Sequence, residues 1–177
     1  MKVLLTYILL VGLFNNIQLE FNKVFVRETN LVLPKCVVNK VISDTQGMTY
    51  AEIAQYCCEY TNNLLTYSLT PSLTEDLTKS QGHCVTYSTI CKEMCNVAYK
   101  AHNISAKAYV SVGQIKINDV NVHNILKTIL PTQYHRFISN HDIVEIVHNN
   151  NNVLLIDPSL TDLMNINIKY TLNTTSE

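Results

Sequence analysis

The sequence contains no tryptophan and no run of basic residues, and its 13 Lys and Arg against 14 Asp and Glu leave a formal net charge of −1. Without a basic patch, nucleic acid and anionic membrane surfaces are not expected as partners. An acidic loop of the calcium-binding kind is missing too. Cys91 and Cys95 have a tolerable separation for zinc, but no second paired Cys or His motif joins them, so no metal or cofactor is assigned. Missing tryptophan and abundant asparagine reflect base composition and carry no chemistry by themselves. What is present is a chain of 177 residues, long enough for one domain whose core needs neither metals nor disulfides.

Met1-Lys2 is followed by an apolar run from Val3 to Phe14, too short for a comfortable transmembrane span. A secretory signal peptide is the favoured reading. No small-x-small pair follows the run cleanly, which keeps an uncleaved anchor or a buried first element as alternatives. Residues 1–20 are therefore expected to be leader or anchor and 21–177 a single domain, secreted or in the cell envelope, meeting a membrane only through an anchor. Of the six cysteines, Cys57 and Cys58 are adjacent and Cys91 and Cys95 lie one helical turn apart on an apolar face, a spacing that suits core thiols better than a dense disulfide framework. One bridge from Cys36 to Cys57 or Cys58 stays open.

Along the chain, Lys23–Arg27 and Leu31–Leu33 are β-prone, with Pro34 ending the second piece. Thr49-Tyr-Ala-Glu52 is a capping box and predicts a helix to about Asn62 or Leu65. Ser72–Lys79 is expected to form a short helix that delivers the chain to Gly82. From Tyr87 to Ala98 apolar residues recur at helical spacing, and His102-Asn103 is a stop, since Asn tolerates the left-handed conformation of a helix end. Strict alternation from Ala106 to Val112 predicts a half-buried strand with Gln114–Ile117 as a continuation. Asp119–Leu130 is expected to be helical, 131–140 irregular, and 114–140 long enough to cover a cleft as a lid.

Two strand-like runs, His141–Val147 and Val153–Asp157, flank turn chemistry at 148–152 and read as an antiparallel hairpin. If the turn centres on Asn150, Asp157 falls opposite Ile143, and His141 becomes its diagonal neighbour on the same face. Diagonal Cα atoms lie about 7–8 Å apart, close enough for an imidazole to meet a carboxylate. His148 sits in the turn, too far along. Cys84 should occupy the first turn of the central helix, where free N–H groups and the helix dipole favour thiolate and lower a cysteine pKa from about 8.5 to roughly 3.5–7.5 in favourable sites. A thiol, an imidazole to take its proton and a carboxylate to fix the imidazole are the parts of nucleophilic acyl transfer. The backbone N–H of Cys84 is the natural oxyanion donor, with Gln81 a weaker candidate for a second.

These stretches, Gly82-x-Cys84 opening a helix, Asn103–Gly113, His141-x-Ile-Val-Glu-Ile146 and Ile156-Asp-Pro158, resemble the core of the transglutaminase-like superfamily from about residue 49 to 160. The resemblance implies an α+β, papain-like fold with the cysteine helix packed on an antiparallel sheet. It also implies a cysteine peptidase, transglutaminase, deamidase or amidase acting on a protein or peptide substrate, with Cys84 as nucleophile, His141 as base and Asp157 as orienting acid. Asp142-Ile143 stands where that family commonly has a small residue and then tryptophan, and Asn103 replaces a glycine.

Peptidase or amidase chemistry is favoured over cross-linking, because no added module or aromatic tunnel is evident. The reading from another class is a catalytically silent module that binds partners at a cell surface. His83 is expected to be an ordinary exposed neighbour of the nucleophile, His102, His123, His135 and His148 to lie at the surface or in loops, and Asp142 and Glu145 to be solvated or strand-edge charges. Asn103-Ile-Ser and Asn173-Thr-Thr fit glycosylation acceptors of a secreted eukaryotic protein.

Overall fold

The computed structural model describes residues 19–117, 120–129, 140–149, 152–164 and 171–173. Its architecture is α+β. Strand β1 (Leu19–Arg27) is followed by helices α1 (Lys35–Asp44) and α2 (Tyr50–Leu64), then by the short strands β2 (Leu65–Tyr67) and β3 (Ser80–Gly82). Next come helix α3 (Cys84–Ala101), the long strand β4 (Ala106–Ile117), β5 (Val120–Asn121) and α4 (Val122–Ile129). The hairpin β6 (His141–His148) and β7 (Asn152–Ile156), helix α5 (Pro158–Met164) and β8 (Thr171–Asn173) complete the described chain.

The main sheet runs β7-β6-β4-β1-β8, with β5 beside β4, and is antiparallel apart from the β1–β8 pair. Strand β1 takes in Leu19 and Glu20, the last two residues of the expected leader, while the apolar run at 3–14 lies outside the described residues. No helix among the described residues is long and apolar enough to cross a membrane. Helix α3 packs on β4 and β6. Its buried stripe of Tyr87, Ile90, Cys91, Met94, Cys95 and Ala98 meets Ala108, Val144 and Ile146 from the sheet and Ile53, Ala54, Cys57 and Cys58 from α2. A smaller core of Phe21, Ile115, Ile143 and Leu155 is packed against by Val122 and Leu160.

Local signals set several elements. Helix α2 starts at the expected capping box: the Glu52 N–H donates to Thr49 Oγ1 and the Thr49 N–H to Glu52 Oε2, at 3.4 and 2.8 Å. Helix α3 ends with Asn103 at φ 54°, where the Ile104 N–H donates to the Tyr99 carbonyl (2.9 Å) and the Asn103 N–H to that of Lys100, a Schellman closure. The hairpin register turns about position 150, Val144 pairing with Ile156, Ile146 with Leu154 and His148 with Asn152.

Two expectations fail for identifiable reasons. Pro34 does not close a strand over Leu31–Leu33 but stands at the N-cap of α1, where its missing N–H costs nothing, and Val37 and Val41, one turn apart, bury the helix. Residues 72–79 form turns, with Leu77 and Lys79 at φ 64° and 57°. There Thr74 Oγ1 donates to the Thr78 carbonyl, Asp76 accepts from the Thr78 N–H, and Ser80 Oγ accepts from the Thr74 N–H, so side chains take the bonds a helix would use. Of the expected irregular segment 131–140, residues 131–139 lie outside the described residues, as do most of the side chains that would test a lid over 114–140.

Candidate active site

Four of these elements carry the candidate site at their ends. Strand β3 delivers Gly82 to the start of α3, and a Cβ on Gly82 would lie 2.6 Å from Cβ of Thr86, so the glycine is what lets the strand run onto the first turn. Cys84 is the first residue of α3 and is half-buried. The first helical bond runs from the Tyr87 N–H to the His83 carbonyl (3.0 Å), which leaves the Cys84 N–H among the donors that a helix start does not use.

His141 opens β6 and Asp157 follows β7, and the hairpin brings them together: Nε2 of His141 lies 2.6 Å from Oδ2 of Asp157. The imidazole is 13% exposed and the carboxylate fully buried. The other carboxylate oxygen of Asp157 accepts from the Leu160 N–H (3.0 Å) and Ser159 Oγ (2.9 Å), while its carbonyl accepts from the Thr161 N–H (3.0 Å). Asp157 is thus the N-cap of α5, with Pro158 at the first helical position, and this pins the carboxylate that faces His141. With Nε2 committed to Asp157, Nδ1 is the nitrogen left to exchange a proton with the Cys84 thiol.

Electrostatics follow from these contacts. Burial pushes the Cys84 thiol up, but hydrogen bonds from His141 and His83, the charge of His141 and the Asp142 N–H outweigh it and bring the thiol down to about 6. Burial works against protonated His141, and the Asp157 charge and hydrogen bond, then those of Cys84, overcome it and hold the imidazole well above its ordinary value. The two shifts together favour a thiolate beside an imidazolium.

Several neighbours were not legible as site residues. Asp142 and Glu145 are buried rather than solvated. Arg27 Nε and Nη2 donate to Oδ2 and Oδ1 of Asp142 at 2.6 and 3.3 Å, Lys23 Nζ pairs with Glu145 Oε2 at 2.6 Å, and Ser111 Oγ also donates to that oxygen. The reason is reach across the sheet: β1 and β6 both flank β4, and long basic side chains on β1 span it. The Asp142 carbonyl accepts from Ser88 Oγ (2.7 Å), one turn beyond Cys84, fastening α3 to β6. Tyr67, paired with Gly82 between β2 and β3, has its hydroxyl pushed up to about 12 by burial and then by the charges of Cys84 and Asp157, so it stays neutral.

His83 is not a plain exposed neighbour but the half-buried N-cap of α3. Gln81 is exposed on β3, its backbone is paired with Ser72, and nothing described holds its carboxamide over the thiol. His148 stays at the far end of the hairpin, stacked on Tyr50 and bonded to the Ser105 carbonyl, and His102 caps α3 beside Thr45. The side chains of His123 and His135 lie outside the described residues.

All six cysteines are free, with Cys57, Cys58, Cys91 and Cys95 buried and Cys36 exposed. Burial and mutual contact raise the four core thiols above their ordinary range, the reverse of Cys84. Among the described residues no group of three or more His, Cys, Asp or Glu is arranged to hold a metal ion, Cys91 and Cys95 included. No protein-family model matches this sequence, and no curated protein or solved structure matches it significantly.

Proposed function

We propose that this chain is a cysteine acyl-transfer enzyme of transglutaminase-like, papain-like architecture, acting on protein or peptide amides through a thioester on Cys84. The observation that carries the reading is the His141–Asp157 contact of 2.6 Å, together with a half-buried thiol at the start of α3 that His141 helps bring down to about 6. The Cys84 thiolate adds to the carbonyl carbon, and the oxygen takes up the negative charge at the Cys84 N–H. As the C–N bond breaks, the His141 imidazolium gives its Nδ1 proton to the leaving amine. A thioester and a neutral imidazole remain. His141 then takes a proton from the acceptor as it attacks the thioester, and thiolate and imidazolium are restored. Water as acceptor makes the enzyme a peptidase or amidase, which we favour; an amine makes it a transglutaminase.

The reading is tested with p-nitrophenyl acetate, which needs only a nucleophile and an oxyanion donor. We expect a burst of nitrophenolate close to one equivalent of protein, with the acetyl group located on Cys84 by peptide mass spectrometry, and no burst in Cys84→Ala. Acetylation spread over lysines, without a burst, would refute the proposal and leave the silent binding module.

A further inference from the structure

Two side chains of helix α3 reach main-chain atoms of the sheet. Toward the end of the helix Asn96 holds β4: its Nδ2 donates to the Ala108 carbonyl at 3.0 Å and its Oδ1 accepts from the Ala108 N–H at 2.8 Å. Toward the start Ser88 holds β6, its Oγ donating to the Asp142 carbonyl at 2.7 Å. A serine inside a helix can turn its hydroxyl back on the carbonyl four residues earlier, here that of Cys84. Ser88 gives its one proton across to the strand instead. Ser88 is fully buried and Asp142 is 2% exposed, so the bond lies away from solvent. In an antiparallel strand the N–H and C=O of one residue point to the same side, and the β7 pairing reaches only Val144, so at Asp142 that edge of β6 faces α3. Arg27 of β1 holds the carboxylate of the same residue, from Nε at 2.6 Å and Nη2 at 3.3 Å. His141 immediately precedes Asp142, and Cys84 lies one turn before Ser88.

We propose that Ser88 is a positioning residue for acyl transfer, its hydrogen bond to the Asp142 carbonyl setting where the Cys84 turn of α3 stands against His141 of β6. The inference rests on the acyl-transfer reading of the site. Ser88 touches neither substrate nor reacting atoms and exchanges no proton during turnover. The packing of α3 on Val144 and Ile146 is apolar and non-directional, so it presses helix and strand together without fixing their register. A hydrogen bond is directional, and this one joins the neighbour of the base to the helical turn after the nucleophile. A misplacement of about 1 Å in such a constellation can cost roughly 10²-fold in rate.

Ser88→Ala removes this bond, and Asn96→Ala removes the other fastening of α3, about three turns from Cys84. The measurement is the rate of Cys84 alkylation by iodoacetamide across a pH series, by mass spectrometry, in wild type and both variants, with melting temperatures alongside. The groups that bear on the thiol, His141 of β6, His83 beside it, Arg27 of β1 and Tyr67 of β2, are the same in all three proteins, so a moved midpoint reports their spacing. We expect both variants to melt below wild type and only Ser88→Ala to change the profile. Its midpoint should rise by about half to one unit, a fall in rate at pH 6 of roughly 3- to 10-fold. Ser88→Cys, which fills similar space with a weak donor, is read in the same way if Ser88→Ala does not fold. A Ser88→Ala profile that superposes on wild type, or an Asn96→Ala profile that moves as far, would overturn the proposal and leave Ser88 a structural fastening. If wild-type Cys84 itself alkylated only at the pH of an ordinary thiol, the acyl-transfer reading would fail first, and this inference with it.

Discussion

At the scale of single residues, Asp157 joins two roles. One oxygen bonds His141 and the other caps α5, so its position is over-determined by the helix that follows it. Asparagine at 157 would keep the cap and lose the charge. Asp157→Asn is therefore expected to leave stability nearly unchanged while lowering acyl transfer by roughly 10²- to 10⁴-fold, measured as burst rate against melting temperature. The pH dependence follows from the same contacts. Cys84, lowered to about 6, is a thiolate above that pH, and reactivity is lost as pH falls through it. His141, raised well above its ordinary value by Asp157 and Cys84, keeps its proton to higher pH than a free imidazole, and the proposed acid function is lost as pH rises through that raised pKa. Activity should trace a bell between the two, and Asp157→Asn should pull in the alkaline limb, since Asp157 is the main support of the imidazolium.

At the scale of elements, the site depends on how closely β3 approaches α3. A methyl on Gly82 would meet the Thr86 side chain at 2.6 Å, and the atom it meets is a Cβ fixed to the helix. Gly82→Ala should cost about 1–3 kcal/mol of stability in urea melts and slow Cys84 alkylation by displacing the first turn. Gly113 is tighter still, its absent Cβ falling 2.3 Å from the Asn22 carbonyl oxygen beside the bulge in β1. Elements with their own local chemistry were readable from the sequence: the Thr49–Glu52 box, the Asn103 closure and the asparagine turn whose register brings His141 to Asp157. Elements decided by competition were not. Pro34 can end a strand or start a helix, and the valines at 37 and 41 settle it only once there is a core to bury them. In residues 72–79 the Thr, Asp and Ser side chains outbid the helix for backbone bonds, which no apolar periodicity reveals.

At the scale of the molecule, β1 is the strand that sequence reasoning underrated, because its pairing with β4 and β8 joins distant parts of the chain. Through Arg27 and Lys23 it also supplies the cations that let β6 bury Asp142 and Glu145. Arg27→Met would leave the Asp142 carboxylate buried without its partner and is expected to cost about 1.5–3 kcal/mol. Adding Asp142→Asn should recover part of that loss, and a double-mutant cycle in urea reads the coupling. The expected leader lies outside the described residues apart from its last two positions, which β1 absorbs. Everything proposed for the site depends on the strand hairpin and the helix start making a thiolate–imidazolium pair of Cys84 and His141. Its most direct test is the pH profile of Cys84 alkylation in wild type and His141→Ala. The expected result is a wild-type midpoint near 6 that moves up toward an ordinary thiol in His141→Ala. Two profiles that coincide, both rising only at the pH of an ordinary thiol, would contradict it.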